Sequence, residues 1–528
     1  MDQGYGSHPW FLSAEEGAWL GADRPWTEGN RVAPIIHGRA YFARLVEVLE
    51  ILAPGDLIFL TDWRGDDNEK LTDEGPDLAG LLTWLVRRGV QVRGLLWRSH
   101  PAWMGFNEEE ETALADVVNS AGGELLLDER VRRAGSHHQK LVVVHRPGEP
   151  DEDLAFVGGI DLCHGRRDGD EHLGDPQAQH LDRRYGERAP WHDVQAEVHG
   201  PAVAQLFETF RERWNDRTPV EHRSSLSGRI RVHVTHEPTV PEPLPAITEP
   251  RRRGSQAVQV LRTYPSRRPR YPFAPDGERT IARFYQKAFQ RARSLLYIED
   301  QYFWSREVGE ALADALRRSP ELRVIVVVPR FPDRDGPVSG APHRLGQRRT
   351  LDLVRDAGGD RVCVYDLENE RGTPIYIHAK VVVIDDEVAL VGSDNMNRRS
   401  WTHDSELSIA VFDEDRDDRE PLDPGGQGDG ARWFARSLRL ELTREHLGAE
   451  KDEGLVDPLE AFDRWRETAR ALDAWHAEGR RGPRPPGRIR EHRPEPVARW
   501  QRAYAAPLYR LLIDPDGRPF MLRRAHRF

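Results

Sequence analysis

A histidine and a lysine two residues apart, His378 and Lys380, open a run that continues Val381-Val382-Val383-Ile384-Asp385 and turns at Gly392-Ser393. In an extended strand, positions i and i+2 face one side. The imidazole and the ammonium therefore point into one site, while Ile377, Ala379 and Val381 face the other way. The β-branched run has the composition of a buried strand. A cation at the mouth of such a strand is costly unless it meets an anion, and phosphate suits it. The pattern recurs at His138 and Lys140, followed by Leu141-Val142-Val143-Val144 and the turn Gly158-Gly159 before Asp161. Cleaving a phosphodiester takes a nucleophile, an acid for the leaving oxygen and positive charge for the phosphoryl oxygens. Two His-x-Lys half-sites supply all three. Imidazole titrates near neutrality and suits either proton role. The lysines neutralise the phosphoryl oxygens, so this chemistry calls for no metal and no cofactor.

Each imidazole needs a carboxylate on its second nitrogen. Asp193 and Glu406 occupy matching places, each after a Gly-Gly or Gly-Ser turn and each leading into an apolar strand.

The elements that must position these residues also repeat. Upstream of His138 the patterning predicts a helix over 41–52, a strand 57–60, a helix 77–88, a strand 90–97, a helix ending at Gly122-Gly123 and a strand 124–127. Upstream of His378 the same order predicts a helix over 280–293, a strand 295–298, a helix 308–318, a strand 323–328, a helix ending at Gly358-Gly359 and a strand 361–365. The fold class is α/β: two pseudo-symmetric lobes, each an α-β-α sandwich, with the site at their interface. The boundaries read as an N-terminal arm 1–34 wrapping the first half, a first lobe 35–235, a Pro-rich linker 236–256, a second lobe 257–448 and a C-terminal extension 449–528. In the extension, Leu508-Tyr509-Arg510-Leu511-Leu512-Ile513 reads as a strand returning to the body. Arg98-Ser99-His100-Pro101 ends a strand where α/β sheets place site residues. The basic runs Arg251-Arg252-Arg253 and Arg267-Arg268-Pro269-Arg270 read as solvated. His164, His172 and His180 lie in a polar loop without compact metal-ligand spacing and read as solvated too.

These residues resemble the phospholipase D superfamily, with its paired HxKxxxxD motifs, and particularly its eukaryotic-type phosphatidylcholine branch. The resemblance rests on both His-x-Lys motifs, on Val157-Gly158-Gly159-Ile160-Asp161-Leu162-Cys163 and Pro190-Trp191-His192-Asp193. It extends to Ile298-Glu299-Asp300-Gln301-Tyr302-Phe303, Arg399-Ser400 with Asp404-Ser405-Glu406, and a closing helix ending Glu445-His446-Leu447-Gly448. It implies a phosphohistidine intermediate cleaved by water or a primary alcohol, with His138 the nucleophile and His378 the general acid. It implies that Asp193 and Glu406 orient them and that Asn395, with Asp161 as its counterpart, contacts the phosphate beside Lys140 and Lys380. Asp385, Gly158, Gly159, Gly392 and Ser393 support the motifs. One departure stands out: the first motif's Asp falls at position 145, where this chain has His145. The family's Asp at that place is structural, so the loop is expected to change more than the reaction.

The net charge of −12 weighs against a nucleic-acid coat, which wants a basic face. No apolar run reaches the ~18 residues of a membrane span. Two cysteines cannot make a disulfide framework. The expectation is a cytoplasmic monomer that meets a phospholipid surface peripherally and binds no nucleic acid. The function implied is hydrolysis of a glycerophospholipid such as phosphatidylcholine to phosphatidic acid and the headgroup alcohol, with transphosphatidylation alongside. The alternatives are the same chemistry in a nuclease or a cardiolipin-type synthase, and a non-catalytic lipid-binding homologue, which His145 motivates.

Overall fold

Strand β1 (Thr27–Ile36) begins a sheet that β2 (Leu57–Asp62), β3 (Gln91–Trp97), β4 (Glu124–Asp128), β5 (Leu141–His145), β6 (Leu154–Gly158) and β8 (Val194–His199) complete; β7 (Trp191–His192) is a short strand just before β8. The computed structural model describes residues 7–19, 21–98, 108–221, 239–333, 340–419 and 429–528. Strands β2, β3 and β4 are parallel, and β5 returns antiparallel on β2. The order then continues β5-β6-β8-β1, all antiparallel. Helices α1 (Gly38–Glu50), α2 (Leu78–Arg87) and α3 (Glu108–Ser120) make the crossovers, and α4 (Ala202–Trp214) covers the other face. Asp77 starts α2 by accepting the Gly80 amide at 2.8 Å.

The second sheet repeats the first. It comprises β9 (Gln256–Tyr264), β10 (Glu278–Arg279), β11 (Leu295–Glu299), β12 (Arg323–Val327), β13 (Val362–Glu368), β14 (Pro374–Ile377), β15 (Val381–Ile384), β16 (Val388–Gly392) and β17 (Glu406–Asp413), with β18 (Ile489–Glu491) added from the C-terminal extension. Strands β11-β12-β13 are parallel, β15 returns antiparallel on β11, and β15-β16-β17-β9 follow antiparallel. Its helices are α5 (Thr280–Arg291), α6 (Arg306–Arg318), α7 (Gly340–Gly358) and the short α8 (Arg398–Thr402), then the closing helix α9 (Trp433–Leu447) and α10 (Pro458–Ala477). α9 ends at Gly448, whose φ of 65° is the left-handed cap that favours glycine. The repeat expected from the sequence is thus present strand for strand. The two sheets join where β1 pairs with β9.

Among the described residues the core has three large parts, with smaller clusters beside them. Val143, Val157, Phe207, Phe210, Val381, Val391, Leu438 and Trp465 lie in a central cluster between the sheets, while one outer cluster sits under α1–α3 and another under α5–α7. Ile377, Ala379 and Val381 all face the central cluster, as the alternation requires. Asp386, in the turn after β15, holds α9 with two 2.6 Å contacts to Arg439, both side chains buried.

Four local expectations are corrected. The stretch expected as one N-terminal arm over the first half is divided: Trp10, Phe11 and Leu12 pack with α5 residues of the second lobe, where Leu12 exchanges 2.9 Å hydrogen bonds with Gln259, whereas residues from Thr27 onward are β1 of the first sheet. Residues 508–513 are not a strand. Helix α11 (Arg499–Leu508) continues through a π-turn over Tyr509–Ile513, and a short helix α12 (Phe520–Arg524) follows. A short apolar run does not distinguish helix from strand by period, and here Tyr509 packs on Gly346 of α7 and bonds Asp514 at 2.8 Å. Arg267 is not solvated: it is buried, 2.6 Å from Asp216, with its guanidinium over the Tyr271 ring. His172 is fully buried as well. Ser99, His100 and Pro101 lie outside the described residues.

Candidate active site

Neither His-x-Lys pair sits within a strand. Both occupy extended chain just before β5 and β15, and each is fixed by the opposite lobe. His138 N donates to the Ser405 carbonyl at 2.9 Å, and His378 N donates to the His192 carbonyl at 2.8 Å. The side chains cross in the same way. His138 Nδ1 is 2.8 Å from Glu406 Oε2, and His378 Nδ1 is 2.6 Å from Asp193 Oδ2. Each lobe therefore orients the other lobe's histidine, and neither half-site is complete alone. With Nδ1–H donated to a carboxylate, Nε2 keeps its lone pair free for chemistry.

The supporting residues explain the spacing. A Cβ on Gly159 would stand 2.2 Å from Asp193 Oδ1, and one on Gly392 would stand 1.8 Å from Ser408 Oγ. Only glycine lets these strands approach so closely. Gly158 is equally confined, against Gln195. Ser393 Oγ donates to Glu406 Oε2 at 2.6 Å and accepts the Leu407 amide at 3.0 Å, fixing that carboxylate. Asp385 accepts the amides of Arg293, Ser294 and Leu295 at 2.8–3.0 Å, clamping the start of β11 to the end of β15. Asp128, fully buried, pairs with Arg130 and Arg213, and Arg213 reaches Ser405 Oγ at 3.1 Å, bracing the chain that carries Glu406.

The two lysines are almost completely buried. Lys140 Nζ is 3.1 Å from Asp161 and donates to the His138 carbonyl at 2.9 Å. Lys380 Nζ donates to Gln301 Oε1 at 3.2 Å and to the His378 carbonyl. Asp161 also holds Arg166 at 3.1 Å, so it stands behind the cations. Asn395 lines the cleft with its Oδ1 buried and unpartnered among the described residues.

Electrostatics follow from burial. Burial, then Lys140 and Lys380, holds His138 well below the usual imidazole range; burial, then Lys380 and Arg166, does the same to His378. Burial lowers Lys380 to about 8. Burial pushes the Glu406 carboxyl up to about 8, with Asp404 adding, and it raises Asp193. The free site therefore favours uncharged imidazoles. Positive charge arriving on either ring draws its carboxyl partner into the charged form.

Both histidines open on one cavity of about 460 Å³. Trp63, Trp191, Tyr302, Trp304 and Tyr376 give it an aromatic wall, and Arg166 enters it stacked 4.0 Å over Trp191. Sequence reasoning missed Arg166 and Trp63. Neither lies in a repeated motif, and only the closure of the loop over 165–188 brings Arg166 in. It named Gln301 only within a motif; its Nε2 donates to Tyr376 OH at 2.8 Å while its Oε1 accepts from Lys380. His180 is exposed at the rim.

The chain is similar to known proteins over most of its length. Residues 106–311 match the family model described as Phospholipase D, and residues 285–419 match that described as Cardiolipin synthase, PLD-like domain. Phospholipase D1 of Saccharomyces cerevisiae is 25% identical, over 85% of this chain and 31% of the yeast protein. Phospholipase D alpha 2 of Oryza sativa subsp. japonica is 25% identical, over 74% of this chain and 59% of its own. Phospholipase D A of Dictyostelium discoideum is 27% identical, over 77% and 35%. Among solved structures, phosphatidylserine synthase from Haemophilus influenzae is similar over 72% of this chain and 82% of its own, at 14% identity and a TM-score of 0.48. The chain belongs to the phospholipase D superfamily. Within it, the yeast, plant and Dictyostelium relatives set it on the eukaryotic-type branch, although it spans only 31% to 59% of the length of the three described.

Proposed function

We propose that this chain cleaves glycerophospholipids, such as phosphatidylcholine, into phosphatidic acid and the headgroup alcohol, with transfer to primary alcohols alongside. The observation that carries the reading is the crossed pair of carboxylate-held imidazoles at one cavity. Neutral His138 attacks phosphorus through Nε2. Lys140, Lys380 and Asn395 receive the phosphoryl oxygens, and Asp161 tethers Lys140 from behind. The phosphodiester's negative charge offsets the lysines and favours a proton on His378, which passes it to the leaving alkoxide. Water or an alcohol then enters, His378 takes its proton, and the phosphohistidine opens. Asp193 and Glu406 hold the rings and stabilise their cationic forms.

The C-terminal extension supports a lipid surface as partner. Leu512 and Ile513 line the cavity. Nearby in sequence, Leu511 is 70% exposed and Met521 73%, beside exposed Arg510, Arg523 and Arg524. Apolar and basic groups together suit the interface of a bilayer. Among the described residues no helix is long and apolar enough to cross a membrane, so contact is peripheral in this reading.

The test is choline release from phosphatidylcholine vesicles with EDTA present during the assay, set beside phosphatidylglycerol and single-stranded DNA. Lipid turnover that disappears in His138→Ala and in His378→Ala supports the reading. Turnover of DNA alone, or lipid binding without turnover, overturns it.

A further inference from the structure

His172 has company in the interior. His37 from the β1–α1 junction, His192 from β7 and Glu445 from α9 converge on it. One donor atom from each of the four lies within 4.8 Å of the others. The Glu445 carboxylate is the centre: His37 Nε2 is 3.0 Å from Oε2, His172 Nε2 is 2.9 Å from Oε1, and His192 Nδ1 is 3.7 Å from Oε1. Arg488 also reaches Oε1, at 3.3 Å.

Two of the three rings are arranged as ligating histidines usually are, with a second partner that fixes the tautomer, while His37 Nδ1 is buried without a hydrogen-bond partner among the described residues. His172 Nδ1 is 3.0 Å from the Trp191 carbonyl, which accepts its proton and leaves Nε2 as donor to an ion. His192 Nε2 is 2.7 Å from Glu299, which frees Nδ1; that nitrogen is buried, faces Glu445 and has no hydrogen-bond partner among the described residues. Glu299 is itself held by His446 at 2.7 Å and by Tyr297. Zinc takes imidazole and carboxylate donors at about 2.0–2.2 Å in a tetrahedron, which puts its ligand atoms roughly 3.3–3.5 Å apart. The three Glu445-to-histidine separations, 2.9 to 3.7 Å, bracket that value. Three imidazoles and one carboxylate close the tetrahedron, as in a structural site with no position open for water.

We propose that His37, His172, His192 and Glu445 bind one zinc ion. The four ligands come from four separate segments: the start of the first lobe, the loop that carries Arg166, the strand before Asp193, and the closing helix of the second lobe. His192 precedes the residue that orients His378, and its carbonyl accepts the His378 and Ala379 amides at 2.8 and 3.2 Å. The ion would therefore lock the two lobes together behind the cleft and fix the chain that positions His378. It takes no part in bond cleavage, so the inference stands independently of the substrate. A buried ion of this kind survives brief EDTA and leaves only on prolonged stripping.

The experiment uses the whole chain purified without chelator. Metal content is measured by mass spectrometry. The protein is then stripped with dipicolinate and titrated with zinc chloride while Tm is followed. The expected result is one zinc per chain, a lower Tm after stripping and its recovery on adding zinc. His37→Gln and Glu445→Gln should each weaken zinc binding by more than the roughly 10–100-fold that loss of an outer-shell partner costs. Cobalt in place of zinc should show the intense visible absorption of a tetrahedral site. Absence of tightly bound metal together with a Tm indifferent to zinc overturns the proposal. So does zinc retained at full affinity by both variants, which would place it elsewhere. If either variant fails to fold, the wild-type metal content, zinc-dependent Tm and cobalt spectrum still decide.

Discussion

In the second lobe, Asp385 closes the end of β15 onto the start of β11 through three backbone amides. In the first lobe the same place is His145, whose backbone pairs with Leu57 at the start of β2 while its side chain turns to Asp153 across its own hairpin at 2.6 Å. The phosphate side differs likewise. The second lobe offers Asn395 to the cleft, while its counterpart Asp161 stands behind Lys140 and Arg166. What the lobes share is narrower: a His-x-Lys pair, a glycine-bearing turn, and a carboxylate lent to the other lobe. The crossed carboxylates explain why those parts stay alike. Each lobe's acid serves its partner's histidine, so neither can drift without damaging the other half-site. The clamp and the phosphate contacts serve one lobe only and have diverged.

The largest effect should fall on the shared parts. His138→Ala and His378→Ala should each lower kcat by about 10³-fold or more, since nucleophile and acid are both indispensable. A large loss from only one would mean that the lobes are not catalytic equals. Next comes the clamp: Asp385→Ala strands three amides and should cost about 3 kcal/mol in a denaturant melt. His145→Asp, which writes the family residue into the first lobe, should destabilise by about 1 kcal/mol, because it sets a carboxylate against Asp153. If His145→Asp stabilises instead, the first lobe has kept the family's clamp geometry.

Asp193→Asn and Glu406→Gln should each lower kcat/KM by about 10–100-fold with little change in KM. The crossing gives them a signature. Asp193→Asn should slow leaving-group departure, sensed with alcohols of different acidity, and Glu406→Gln should slow attack. Swapped signatures would break the crossed assignment. The pH profile is a milder probe. Lys380 is charged below about 8 and neutral above it, so kcat/KM should fall as pH rises past about 8. The acid limb should lie below the ordinary imidazole range, because burial depresses both histidines. The smallest effect belongs to the extension: Leu511→Asp with Met521→Asp should raise KM several-fold on vesicles and leave turnover of a soluble short-chain lipid unchanged.

Much of this was legible in the residues. The repeat fixed both sheets, because β-branched runs and Gly-Gly turns recur in one order, and it named both imidazoles, both lysines and both acids. Which acid serves which histidine was not legible, since Asp193 and Glu406 occupy equivalent places and only the packing of lobe on lobe crosses them. Arg166 and the His37-His172-His192-Glu445 cluster were hidden for a similar reason. Their members are scattered through the sequence, and spacing along one chain says nothing of ligands brought together by folding. The extension misled through its composition: a short run of leucines and an isoleucine suits a strand as well as the helix it joins.

The most direct measurement is to quench the reaction with phosphatidylcholine carrying radiophosphorus and to locate the label by peptide mapping. The account predicts an acid-labile phosphoryl group on His138 that chases into phosphatidic acid, and none on His138→Ala. Label on His378, or turnover with no covalent intermediate, would contradict it.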